Sequence, residues 1–264
     1  MDESSTPNDL IVRFQAGFAA RTGLDQEVLA EPGVSLLPRP DRAGSNAVFC
    51  YQVDRHRVLW CDPAVADQIE TLVGEMTEAA DERWLHIPAG HGFQVMGANL
   101  MRVGAVRPWP GTGPTAPSPY LDRRLDAAHA DTLPLVRTLT EVCDPQEVED
   151  AALDELDEFD ELAINVLTAE QGDGSRPLLA YASAAPWEWD EAFADIGVLV
   201  HPEHRRRGLG HHVVARTVAD LFDGGRLPLY RHDPANRGSA AIADGLGFVE
   251  AARIVAYTAT DRGG

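Results

Sequence analysis

The sequence predicts an α+β protein, a mixed and mostly antiparallel sheet flanked by helices, preceded by an α/β accessory domain. Three observations predict it. The second half alternates short apolar runs with segments whose apolar residues recur at helical spacing. One of its runs, Ile196 to Val200, is stopped by Pro202 and passes through a glycine-bearing turn into a helix marked by Val214, Val218, Leu221 and Phe222. Between Gly104 and Tyr120, five prolines (Pro108, Pro110, Pro114, Pro117 and Pro119) disfavour both helix and strand. They divide the chain into residues 1–115 and 116–264.

In the first part, Leu10, Ile11, Phe14 and Phe18 mark a helix. Residues 47–53 and 58–61 read as strands around the polar turn Asp54–Arg57, a hairpin. Val65, Ile69, Leu72, Val73 and Met76 line one face of a second helix, and residues 84–106 look like further strand. His86, His91 and the Trp60–Cys61 pair stand out, but an isolated His or Trp is usually a packing or surface residue.

In the second part, strands are expected at 121–126, 162–168, 177–187, 193–200, 227–232 and 248–259. Helices are expected at 130–142, 145–159, 211–222 and 236–245.

Composition bounds the partners. The formal net charge of -20 repels phosphate backbones and anionic lipid, which argues against nucleic acid or membrane and favours a cationic small molecule or peptide; acidity for solubility alone is the other reading. All 22 basic residues are arginine, and heavy use of Ala, Gly, Pro and Arg points to a GC-rich, bacterial genome. The three cysteines, Cys50, Cys61 and Cys143, have neither disulfide nor metal-ligand spacing. With an acidic, polar start, they lead to the expectation of a reduced, cytoplasmic compartment and no metal. Nothing in the sequence sets the oligomeric state; a dimer is as compatible as a monomer.

The informative stretch runs from Asp195 to Gly210. Strand, glycine turn and helix start, in that order, expose free amides at the positive end of a helix dipole and can hold an anion. Gly208 and Gly210 permit close backbone approach, while Arg205, Arg206 and Arg207 add cationic donors. An exposed glycine turn with an arginine-rich face is the plain alternative.

Val200-x-Pro202 followed by Arg205-x-x-Gly208-x-Gly210 resembles the coenzyme A pyrophosphate loop of the GCN5-related N-acetyltransferase (GNAT) family. Asn236-x-x-Ser239 and Gly247-Phe248 resemble that family's second signature, an Asn opening the penultimate helix and a Gly-Phe pair closing it. The resemblance covers about residues 120–264. The first half matches nothing comparably and is open between an unrelated accessory domain and a degenerate copy of the same fold.

The resemblance implies the acyl-CoA acyltransferase fold and acetyl-CoA bound where strands 193–200 and 227–232 splay. Residues 206–210, Leu209 included, would hold the pyrophosphate. The backbone of Val198, Leu199 and Val200 would pair with the pantetheine arm and face the thioester carbonyl. A primary amine would attack directly in a ternary complex, without a covalent enzyme intermediate. Asp195, with Glu188 and Glu191 as rivals, is the candidate for taking the ammonium proton. The family's usual tyrosine proton donor is replaced here by Ala243. Tyr230, Ser239 or water are the substitutes. A non-catalytic coenzyme-A-binding module is the competing reading.

For the acceptor, the acidic segment Gln146–Glu161, with Leu153, Leu156 and Phe159 on one face, reads either as a solvated helix or as a pocket mouth for a cationic amine. Trp187 and Trp189 with Glu188 and Asp190 read either as packing or as an aromatic, anionic wall.

Overall fold

The computed structural model describes residues 6–78, 87, 91–104, 115–126, 132–153, 162–170, 172 and 174–260. These fall into two compact units. The larger contains residues 102–231 and 237–249 with the first ten residues; the smaller contains 11–101, 232–236 and 250–264.

The smaller unit is built on a sheet segment. Its elements are helix α1 (Pro7–Thr22), helix α2 (Gln26–Ala30) and strand β1 (Gly33–Pro38), then strands β2 (Ala47–Val53) and β3 (His56–Cys61). Helix α3 (Ala66–Glu78) and strands β4 (Phe93–Gly104) and β10 (Phe248–Ala259) complete it, although Arg102–Gly104 and Phe248–Val249 belong to the larger unit. The strand order is β1-β3-β2-β10-β4, with β1 parallel to β3 and β2 antiparallel to both β3 and β10. The expected hairpin is present. Asp54 takes the left-handed conformation its turn requires, at φ 51°.

One face packs Val48, Cys50, Leu59 and Cys61 against Val65, Ile69 and Leu72, the apolar stripe of the expected second helix. Trp60 and Cys61 prove to be packing residues. The buried Trp60 ring meets Tyr51 edge-on at 5.5 Å and carries the Arg39 guanidinium at 4.5 Å. Helix α2 and strand β1, which hydrophobic spacing did not single out, are short and tied by His56. Its ring lies 2.9 Å from the Ser35 hydroxyl and 3.0 Å from the Glu31 carbonyl. Gly33 is required there because a Cβ would approach the His56 ring to 2.8 Å.

The larger unit runs β5 (Leu121–Leu125), α4 (Thr132–Thr140), α5 (Pro145–Asp150), β6 (Ala163–Thr168), β7 (Leu178–Pro186) and β8 (Phe193–Val200). Helix α6 (Leu209–Asp223), strand β9 (Leu227–His232) and helix α7 (Arg237–Gly245) follow. The strand order is β9-β8-β7-β6-β5, antiparallel throughout except for the parallel pair β8–β9.

Strand alternation puts Ile196, Val198 and Val200 on the face covered by Val213, Val214 and Val218 of α6, while Leu199 joins Val136, Leu139 and Leu153 on the other. Gly197 lets α5 approach, since a Cβ there would collide with the Ala151 carbonyl oxygen.

The helix expected over 145–159 is corrected by the structure: α5 ends at Asp150. Ala152 turns left-handed at φ 55°, and the Leu153 amide donates back to the Val148 carbonyl. That six-residue closure buries Leu153 against Val148 and needs no glycine. Residues 154–161, and with them Leu156, Phe159 and most of the acidic run, lie outside the described residues, as do His86 and the prolines at 108, 110 and 114.

Candidate functional site

Two features of the larger unit converge at the C-terminal end of β8. The first is where β8 and β9 part. Their parallel register covers Phe193↔Leu227, Ala194↔Pro228 and Asp195↔Leu229 and goes no further. Ile196 to Val200 remain paired with β7 on one side only. The β9-facing edge of β8 thus presents backbone donors and acceptors suited to an extended ligand chain laid between the strands.

The second is the loop that follows. A single 3-10 turn, Pro202–His204, leads to Arg206 at φ 60° and Gly208 at φ 79°, two left-handed positions flanking Arg207. Such alternation turns successive amides toward a common concave side, a geometry that suits an anion. Among the described residues, no backbone or side-chain acceptor takes the amide hydrogens of Arg206, Arg207, Gly208, Leu209 or Gly210; the first helical bond is His212 N–H to the Gly208 carbonyl at 3.0 Å. Gly208 has the conformation only glycine adopts cheaply. Gly210 is needed for a different reason, since a Cβ would stand 2.9 Å from Ile242 Cδ1 and 3.3 Å from Val200 Cγ2.

The three arginines do not act alike. Arg205 donates from Nη2 to Glu147 at 2.5 Å and from Nε to the Val200 carbonyl at 3.2 Å, fastening the loop to α5 and to the end of β8. Arg207 donates to the Tyr120 hydroxyl and to the Glu203 carbonyl, each at 3.1 Å. Arg206 is exposed and has no such tie among the described residues. Glu147 serves twice, also closing the capping box of α5 with Asp144.

A polar cluster supports the loop. The Tyr120 hydroxyl stands 3.4 Å from His204 Nδ1, and the His201 and His204 rings meet edge-on at 5.3 Å. Burial, reinforced by the charges of Arg207 and His201, pushes the His204 pKa below the ordinary histidine value.

Asp195 sits where β8 and β9 part. Its Oδ2 accepts from Arg231 Nε at 2.6 Å and also from Nη2. Its Oδ1 is buried and finds no partner among the described residues. Tyr230, the neighbour of Arg231, points to the other face, packed 5.6 Å from the Phe248 ring in the core under α6 and α7. Burial pushes its pKa up to about 12; the nearby Ser239 side chain opposes this, and the charge of Asp195 adds to it. The structure therefore brings Asp195, Tyr230 and Ser239 into one neighbourhood. Ala243 is fully buried in the same core and offers no hydroxyl. Asn236 belongs to the segment 232–236, which groups with the smaller unit; it directly precedes α7, and its amide donates to the Asp233 carbonyl at 2.9 Å.

Sequence reasoning missed Arg231, Tyr120, His204 and Glu147. Arg231 had a usable signal, being the one arginine in the apolar run of β9. The other three are distant in sequence from the loop or unremarkable within it. Trp187 is buried against Trp189 and Phe193, with ring centroids at 5.0 and 6.0 Å, and Trp189 donates to Glu188 at 2.7 Å. No group of three His, Cys, Asp or Glu side chains among the described residues is placed to hold a metal ion.

Residues 133–248 match the model of the acetyltransferase (GNAT) family. The matched segment begins in α4 and ends at Phe248, and so holds the loop, β8, β9 and α7. A tandem GNAT protein from the clavulanic acid biosynthesis pathway shares the fold over 96% of this chain and 96% of its own, at TM-score 0.53 and 16% identity. This likeness in fold extends over the first half of the chain as well. A GCN5-related N-acetyltransferase from Kribbella flavida is 21% identical, covering 77% of this chain and 78% of its own at TM-score 0.46. No curated protein matches the sequence.

Proposed function

We propose that the GNAT domain transfers an acyl group, by expectation acetyl, from acetyl-CoA to a primary amine by direct attack in a ternary complex. The observation that carries this reading is the run of five unengaged amides from Arg206 to Gly210 beside the unpaired edge of β8. The amides of 206–210 with the Arg206 guanidinium would hold the diphosphate. The backbone of Val198 to Val200 would pair with the pantetheine arm, and an amide of that edge would stabilise the oxyanion. Acetyl-CoA supplies the acyl thioester.

Asp195 is the acceptor for the ammonium proton; its Oδ1 has no hydrogen-bond donor among the described residues. With a pKa pushed up to about 12, Tyr230 stays protonated and donates a hydrogen bond toward the leaving sulfur. A thiol is the stronger acid of the two, so the proton itself comes from solvent.

A second reading, a non-catalytic coenzyme-A-binding module, is favoured by Ala243 and by the Arg231 clasp on Asp195. Calorimetric titration with acetyl-CoA and a thiol-release assay over an amine panel separate the two. Binding with turnover supports transfer; binding without turnover supports the module. Gly208→Asp should abolish binding, because it adds a Cβ at a left-handed position and a negative charge among the amides. Undiminished affinity would mean that the loop is not the diphosphate site.

The reading further places the protein in the cytoplasm without nucleic-acid or membrane partners. No helix of the described residues is long and apolar enough to cross a membrane.

A further inference from the structure

Resting on the acyl-transfer reading, we propose that the acceptor is a zwitterion of the α-amino-acid class, whose carboxylate is read by Arg231 and whose ammonium is read by Asp195.

Arg231 follows Leu229, the last register partner of β8, by two residues. Strand alternation therefore puts its side chain on the same face as Asp195. Two guanidinium nitrogens converge on the single oxygen Oδ2, so the ion pair lies across the point where the strands part. It is reachable by ligand, since the Arg231 side chain is 48% exposed and that of Asp195 19%. Asp195 is the one charged residue of β8, and Arg231 is the one arginine of β9.

A resting pair of this kind discriminates by charge. A simple cationic amine can reach Asp195 only by displacing the guanidinium, and then faces it as a like charge. A simple carboxylate that takes Arg231 leaves Asp195 partly buried without a counter-charge. A zwitterion exchanges one ion pair for two. Its carboxylate fits the planar fork of Arg231, and its ammonium comes to the carboxylate that the fork has released.

The exchange also prepares the chemistry. With Oδ2 freed, that oxygen faces the ammonium, which gives up one proton to the carboxylate. The nitrogen then bonds to the thioester carbonyl carbon, the carbon–sulfur bond breaks, and the nitrogen loses its second proton. Both protons pass to solvent, the first by way of Asp195, and the thiolate takes one back from solvent, so one proton is released in all. The products are the N-acyl amino acid and coenzyme A.

The full-length protein is assayed with acetyl-CoA and matched acceptors that share a side chain: an α-amino acid, its carboxamide and the amine lacking the carboxyl group. Acceptor binding to protein saturated with coenzyme A is measured calorimetrically in parallel. The free carboxylate is expected to raise both affinity and kcat/KM about tenfold to a hundredfold over the other two, the range of a hydrogen bond to a charged group. Arg231→Gln should collapse that ratio toward one, and Arg231→Lys should retain part of it. Equal or better use of the carboxamide overturns the proposal, as does a ratio unchanged in Arg231→Gln. Acetyl-CoA binding without turnover of any acceptor overturns it while leaving the cofactor site standing. Failure to bind acetyl-CoA removes the acyl-transfer reading as well.

Discussion

His204 shows how a single side chain can set the condition of the loop. Arg207 donates to the Tyr120 oxygen, which leaves the Tyr120 hydroxyl proton for a neutral His204 Nδ1. A protonated ring would have to turn a donor toward that hydroxyl, beside Arg207 and His201, with Glu203 as the nearest opposite charge. The folded pKa lies below the ordinary value of about 6.5. Below that value the unfolded chain binds the proton more readily, so stability falls as pH drops through about 6.5 and levels off below the lowered folded value. Melting temperature should decline over that window, and His204→Gln should flatten the decline. An identical slope in the variant would remove His204 as its source. Cys50 and Cys61, whose thiols burial pushes upward (Cys61 to about 11), have no comparable part near neutral pH.

Among the elements, the close approach of α5 to β8 rests on one residue. Gly197 makes it possible, and no turn or left-handed angle is involved. Gly197→Ala would press its methyl group into the Ala151 carbonyl, a backbone atom fixed by the buried Leu153. A cost of about 1–3 kcal/mol is expected, the usual range for overpacking. It should appear in scanning calorimetry as a fall of roughly 2–10 °C. An unchanged transition would mean that α5 yields without loss. The sequence announced Gly208 and Gly210 through their spacing in a known loop, whereas Gly197 reads there as a weak point in a strand. Its need comes from a helix end 46 residues earlier in the chain.

At the level of the whole molecule, neither unit is a continuous stretch of sequence. Arg102 pairs with Asp244 of α7 at 2.5 Å. Gly104 lies where a Cβ would stand 3.2 Å from both Phe248 and Pro228. These residues precede the proline-rich segment, yet they belong to the unit that holds the matched segment. Conversely, strand β10 supplies seven register partners to β2 of the smaller unit. A fragment of residues 116–264 therefore keeps the matched segment but lacks Arg102 and Gly104, and its β10 lacks β2. It should express poorly or melt without a cooperative transition. A fragment with the full protein's melting temperature would contradict this.

Local spacing in the chain was enough for most of the elements and for the strand–turn–helix order of the glycine loop. A strand stopped by proline, a turn made by glycine and an apolar stripe on a helix are each set by residues within a few positions of one another. The same holds for the choice of Asp195, Tyr230 and Ser239 as candidates, through a family pattern read along the sequence. Folding alone decided which donors the loop keeps. Arg205 and Arg207 look identical to Arg206 in sequence, and only their meetings with Glu147, Val200 and Tyr120 set them apart. The Arg231–Asp195 pair and the stop in β8–β9 pairing are likewise tertiary. Side chains 36 residues apart in the chain become neighbours only when two parallel strands are laid side by side.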